Sequence, residues 1–336
     1  MSGVASFSPG SPVPGIRNTR PTGIQSCPRR RLSCRHLIAL LVLPLLLACA
    51  DAKKSDIDAW TFKTKLSGGM RLDRSPADSR VDAVTLARNF RRIAYDVEAD
   101  PFGTGVEPGR KTREPTLTRW EQDIRLQIFG ETPDRPTTRR DIYAFMRKLS
   151  GLTGVKFTLS DVVQIRRKKQ EQANLLVLLG GGRDFDRMIG ELDVSIRTSS
   201  GKSAESLKIV RTFLNKWHLS LSPCAAEVYS ELDDQNRNTG RVILGLIAIR
   251  TDFEDPNTQS CIEEELAQAM GLMNDHPDVR PSMFNDDEEF ALMTDHDALL
   301  LRILYDSRLR AGMSPEESMP IVRQIAAELM ADEEGD

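Results

Sequence analysis

The chain has 336 residues, 40% of them apolar and 28% charged, enough to bury one substantial core, or one core with a small appendage. Its formal net charge of −3 hides an asymmetry: residues 1–48 hold six of the 46 basic residues and no acid, leaving 40 basic against 49 acidic residues, a net of −9, for the rest. An acidic body argues against nucleic acid as a partner, because phosphate recognition needs a basic footprint.

Arg29, Arg30, Arg31 and Arg35 precede the apolar run 37–48, LIALLVLPLLLA, which is too short to span a bilayer and reads as an export signal. The residues Leu46-Leu47-Ala48-Cys49 resemble a bacterial lipobox. That resemblance implies cleavage before Cys49, lipidation of its thiol and attachment to the bacterial membrane through the lipid. Ala50 at the second mature position implies the outer membrane, with the domain in the periplasm. The alternative is an ordinary signal peptide cut after Ala50. On this reading 1–48 is a leader, 49–80 a flexible tether and 81–332 the domain. Cys27 and Cys34 leave with the leader, so Cys224 and Cys261 remain in an oxidising compartment and read as a disulfide, with two buried free thiols as the alternative.

In chain order, 82–97 places Leu86, Phe90, Ile93 and Val97 at helical spacing, and 99–115 is loop by composition. Ile124, Leu126 and Ile128 alternate as a strand; Ile142, Phe145, Met146 and Leu149 share a helical face, which Gly151 and Gly154 break; Val155, Phe157 and Leu159 alternate again. The basic run 166–169 reads as a solvated loop, with anionic lipid contact as the alternative. NLLVLL, 174–179, is the most apolar strand and is expected at the centre. The glycines 180–182 lack the lysine and hydroxyl residue of a P-loop and read as a turn. A helix over 203–217 and two strands flanking the polar loop DDQNRNTG follow. A late hairpin after strands separated by helices favours an α+β single domain over a doubly wound sheet.

Residues 260–305 carry the most distinctive pattern. Ser260 and Glu263 have the spacing of a capping box, which predicts a helix start there. Ile262, Leu266, Ala269, Met270 and Met273 fall on one face; Glu264, Gln268 and Gly271 fall on the other. The segment EELAQAMGLMN aligns without a gap to HExxHxxGxxH, the pattern with which metzincin-type zinc peptidases hold zinc and activate water. PSMFND, 281–286, resembles the metzincin Met-turn, with Met283 as its methionine, and DALLLRILY, 297–305, resembles the element that follows it in matrixins. The body also resembles an uncharacterised family of bacterial exported proteins and lipoproteins, through the stretches around Cys261, Pro281 and Thr294.

The metzincin resemblance implies a mixed sheet, a central active-site-type helix and C-terminal helices. It places Glu264, Gln268 and Asn274 at the three metal-ligand positions and Glu265 at the general base. All three ligand histidines are replaced, and the remaining oxygen and amide donors suit a hard divalent cation better than zinc. Asp275 and His276 are alternative ligands, as is His296 further on. Acids at 263–265 also have a plain reading, as complements to a helix dipole, and the acids 286–289 read as a solvated loop rather than a calcium site. A helix with Ser314 as cap and Pro315 in its first turn closes the chain. The resulting expectation is a cell-envelope lipoprotein whose degenerate peptidase-like domain binds an envelope protein or peptide or serves a structural role. The alternative is a metal-dependent hydrolase using Glu265 as base.

Overall fold

The structure, a computed structural model, describes residues 58–59, 61–66, 68–95, 115–130, 136–160, 172–180, 203–219, 222–253, 255–285 and 287–335. Contacts divide the chain into Met1–Leu46 and Leu47–Asp336, and every described residue belongs to the second unit. Cys49, Trp60 and the basic run 166–169 lie outside the described residues.

Five strands form one mixed sheet in the order β2-β1-β3-β5-β4. β1 (Ile124–Phe129) runs parallel to both β2 (Phe157–Leu159) and β3 (Leu175–Gly180). β3 runs parallel to β5 (Asn238–Arg250), and β4 (Cys224–Leu232) closes the sheet antiparallel to β5. The NLLVLL run is the middle strand, as its composition predicts: every residue of β3 is buried because both faces are covered. Leu175, Val177 and Leu179 enter the larger core, while Leu176 and Leu178 point the other way, toward Val210, Phe213, Leu214 and Trp217 of α3 (Ser203–Leu219). Alternation at period two thus divides the sheet between two helical layers.

The larger core is covered by α1 (Ala83–Tyr95), α2 (Thr138–Thr153), α4 (Asn257–Gln268), α5 (Asp295–Leu304) and α6 (Pro315–Gly335). Asp82 starts α1 by accepting the Thr85 amide at 2.7 Å. Tyr95 closes it against α6 through a bond with the Ser318 hydroxyl, and burial pushes the Tyr95 phenol up to about 12. Gly151 lies inside α2; Gly154, at φ 73°, ends it by donating its N–H to the Ser150 carbonyl. The cysteines of β4 and α4 are joined, Cys224 to Cys261, with Cα atoms 5.7 Å apart.

Two expectations need correction. The capping box at Ser260 does not form, because α4 begins one turn earlier, after Pro256, and Glu263 is drawn away by Arg74. The same kind of signal operates at α5, where Thr294 and Asp297 cap reciprocally, and at α6, where Ser314 and Glu317 do so. The second half of the expected tether is also part of the body. Asn257 donates to the Thr61 hydroxyl, Met70 is buried, and Met70 and Arg71 bond to the backbone of Glu288 and Glu289. Composition suggested a polar linker, but its arginines find carboxylates on the folded domain.

Candidate functional site

α4, which carries the aligned segment, is buried on nearly all sides. Gln259, Glu264 and Gln268 alone among its residues are partly exposed; Glu264 and Gln268, one turn apart, form one narrow polar strip, and Gln259 lies on the opposite side of the helix. Glu265, the candidate base, is 5% exposed and lies outside that strip. The exit of α4 is built with several bonds. The Trp120 indole donates to the Ala269 carbonyl at 2.8 Å, and the Tyr305 hydroxyl donates to the Met270 carbonyl at 2.8 Å. Gly271 then turns the chain at φ 119°, where a Cβ would stand 2.0 Å from the Thr118 carbonyl oxygen. No side chain fits that approach.

The segment 281–285 is held by one buried carboxylate. Asp297 is fully buried and accepts from the Ser282 hydroxyl at 2.5 Å, the Met283 amide at 3.1 Å, the Thr294 amide at 2.8 Å and the Thr294 hydroxyl at 2.9 Å. Four polar groups thus surround its two oxygens, the Thr294 hydroxyl proton being shared with the Pro281 carbonyl at 2.9 Å, and His296 Nδ1 stands 3.6 Å from Oδ1. Met283 and Phe284 both enter the larger core. At the other end of the element, Arg119 stacks on the Tyr305 ring at 4.8 Å and donates to the Leu304 carbonyl at 2.7 Å, capping α5. Burial pushes the Tyr305 phenol above its ordinary range.

The residues at ligand positions are engaged with the protein itself. Gln268 donates its amide to both carboxylate oxygens of Asp275, at 3.2 and 3.3 Å. Asn274 turns its amide to the Arg92 carbonyl at 3.1 Å, and its backbone N–H meets the Ile93 carbonyl, so it fastens the end of α1. His276 accepts the Asp278 amide on Nδ1 at 3.1 Å and donates its backbone N–H to Phe284. His296 is buried, with Nε2 3.2 Å from the Asn89 amide. Glu264 stays on the partly exposed strip. The structure therefore brings Gln268 and Asp275 together and sends Asn274 elsewhere. Among the described residues no group of three or more His, Cys, Asp or Glu side chains is placed to hold a metal ion.

A family model described as "Protein of unknown function (DUF2927)" matches residues 83–324. The chain belongs to this family. No curated protein matches it. The α4 helix, its glycine turn, the segment 281–285 and α5 all lie inside the DUF2927 match.

Two features near the site escape sequence reading because both join segments far apart in the chain. Arg74, outside the DUF2927 match, forms a bidentate pair with Glu263, both bonds at 2.7 Å, and also donates to the Met293 carbonyl. Gln259 and the Met293 amide complete the shell of Glu263, which is 2% exposed. The Glu263 hydrogen bonds hold the Arg74 guanidinium above its ordinary value. Further out, Arg71 and Arg280 flank the Phe290 ring and share Asp78 and Glu289 as ion-pair partners, so Glu289 belongs to a clamp and not to a free acidic loop. The faint signal for both was arginine in a stretch otherwise poor in structure.

Proposed function

We propose that the protein is a cell-envelope lipoprotein, anchored through Cys49, whose domain keeps a metzincin-like scaffold as a binding or structural module without the standard zinc site. The partner on this reading is another envelope protein or a peptide. One contrast supports it. The scaffold residues of the resemblance are in use, with Gly271 at the close approach, Asp297 under the Met-turn segment and Tyr305 at the helix exit. The ligand positions are occupied by side chains bonded within the protein, Gln268 to Asp275 and Asn274 to Arg92. A fold retained with its chemistry replaced is suited to recognition.

Elemental analysis of protein purified without chelators tests the proposal. Substoichiometric metal, unchanged by Glu264→Ala, is the expected result. Stoichiometric metal that disappears in Glu264→Ala, with peptide cleavage lost in Glu265→Gln, overturns it in favour of the hydrolase. Mass spectrometry of the N-terminal peptide from the membrane fraction tests the anchor: an acylated Cys49 is expected, and an unmodified chain beginning at Asp51 refutes it.

A further inference from the structure

Residues 61–66 are helical and rest on the domain with Thr61 turned inward, 7% exposed and accepting the Asn257 amide at 2.9 Å. That contact sets the rotation of the turn. Phe62 and Leu66, four residues apart and so on one helical face, are 66% and 72% exposed. Seven large apolar side chains are exposed among the described residues, and Leu72 and Val84 join these two to put four of the seven within 62–84. Exposed apolar surface is thus concentrated in the N-terminal segment and not scattered over the domain.

Charge indicates what covers it. Lys63 and Lys65 are exposed beside Phe62 and Leu66, Lys65 also reaching the Asp255 carbonyl at 3.4 Å. One exposed acid, Asp58, lies just before the turn, and none occurs from 59 to 72, although the chain beyond its leader carries a net of −9. An aromatic and an aliphatic side chain interleaved with lysines on one turn suit the boundary between headgroups and acyl chains of an anionic bilayer. The chain emerges there as well: Phe62 follows Cys49 by roughly a dozen residues, a span of about 45 Å at full extension.

We propose that this turn is a membrane-docking patch, in which Phe62 and Leu66 insert into an anionic phospholipid surface and Lys63 and Lys65 meet its phosphates. The inference deepens the envelope reading, drawing on Cys49 for proximity alone. The patch then sets how the domain is oriented on the bilayer, which attachment through Cys49 alone does not.

The test separates the patch from the anchor by using the chain from Ala50 onward, which contains the whole core and cannot be acylated at Cys49. It is sedimented with vesicles of phosphatidylethanolamine and phosphatidylglycerol at three to one, and with pure phosphatidylcholine vesicles. Binding to the anionic vesicles is expected, weakened at least tenfold on phosphatidylcholine, at least tenfold by Phe62→Ser with Leu66→Ser, and several-fold by Lys63→Ala with Lys65→Ala. Both pairs are exposed, so circular dichroism should show the variants folded. No binding to anionic vesicles, or binding indifferent to the Phe62 and Leu66 changes, overturns the proposal. So does self-association in sedimentation velocity that those changes abolish, which would make the patch a contact between copies of this chain. Acylation of Cys49 is measured separately on the membrane-derived protein, so failure of the anchor and failure of the patch give different results.

Discussion

Asp297 shows how much of a motif's meaning depends on where a side chain is directed. By position it begins an apolar helix, yet its carboxylate, wholly buried, collects donors from Ser282, Met283 and Thr294 and so fastens the segment 281–285 to α5. An asparagine keeps a single oxygen and presents an NH2 to one of these donors. Asp297→Asn is therefore expected to cost about 3 kcal/mol in chemical denaturation, the scale for disrupting a buried charged hydrogen-bond network. A loss below about 1 kcal/mol would mean that the turn is held by apolar packing instead. Gly271 makes the complementary case from the backbone. At φ 119°, with a Cβ position 2.0 Å from the Thr118 oxygen, Gly271→Ala requires the backbone to move and is expected to lower stability by about 3 kcal/mol or more. Thermal unfolding that matches the parent would refute the close approach.

Among the elements, α4 is tied to segments far from it in the chain by a covalent bond and by several hydrogen bonds. It is tied covalently to β4, by Arg74 to the N-terminal segment and by Trp120 and Tyr305 at its exit. The Cys224–Cys261 bond closes a loop with a sequence separation of 37, for which the chain-entropy model gives about 3 to 4 kcal/mol. Replacing both cysteines with alanine should lower the unfolding free energy by that amount, less whatever the filled sites recover. An unchanged urea midpoint under reducing conditions would remove the bond from the stability account. Much of this architecture was legible beforehand. Alternation in Ile124, Leu126 and Ile128 marks β1, the unbroken apolar run marks β3 as central, and the polar loop between β4 and β5 marks the hairpin. The start of α4 was not legible. A serine and a glutamate three apart fit a cap, and only the tertiary pull of Arg74 on Glu263 shows that the helix begins earlier.

For the whole molecule, the N-terminal segment and the domain are joined by an ionic clamp that makes stability depend on pH. Hydrogen bonds from Arg71 hold Asp73 and Asp78 below the usual carboxylate range, and one from Arg280 does the same for Glu289. Folded values below unfolded ones mean stability that is present above the unfolded values, about pH 4, and lost as pH falls through the folded ones. The urea midpoint difference between parent and Glu289→Gln should accordingly be largest near neutrality and shrink steadily from about pH 5 to pH 2, and also in about 1 M salt. A difference constant over that range would show that Glu289 acts by shape alone.

The sequence by itself determined the α+β class, the order of strands and helices and the disulfide partners. These follow from local periodicity, from turn residues and from counting cysteines, and neighbouring residues suffice to express them. Tertiary structure alone decided where the polar side chains point. Asn274 goes to α1, Gln268 to Asp275, Glu263 to Arg74, and residues 61–66 and 68–80 join the body, because hydrogen bonds and ion pairs form between segments whose meeting no local pattern encodes.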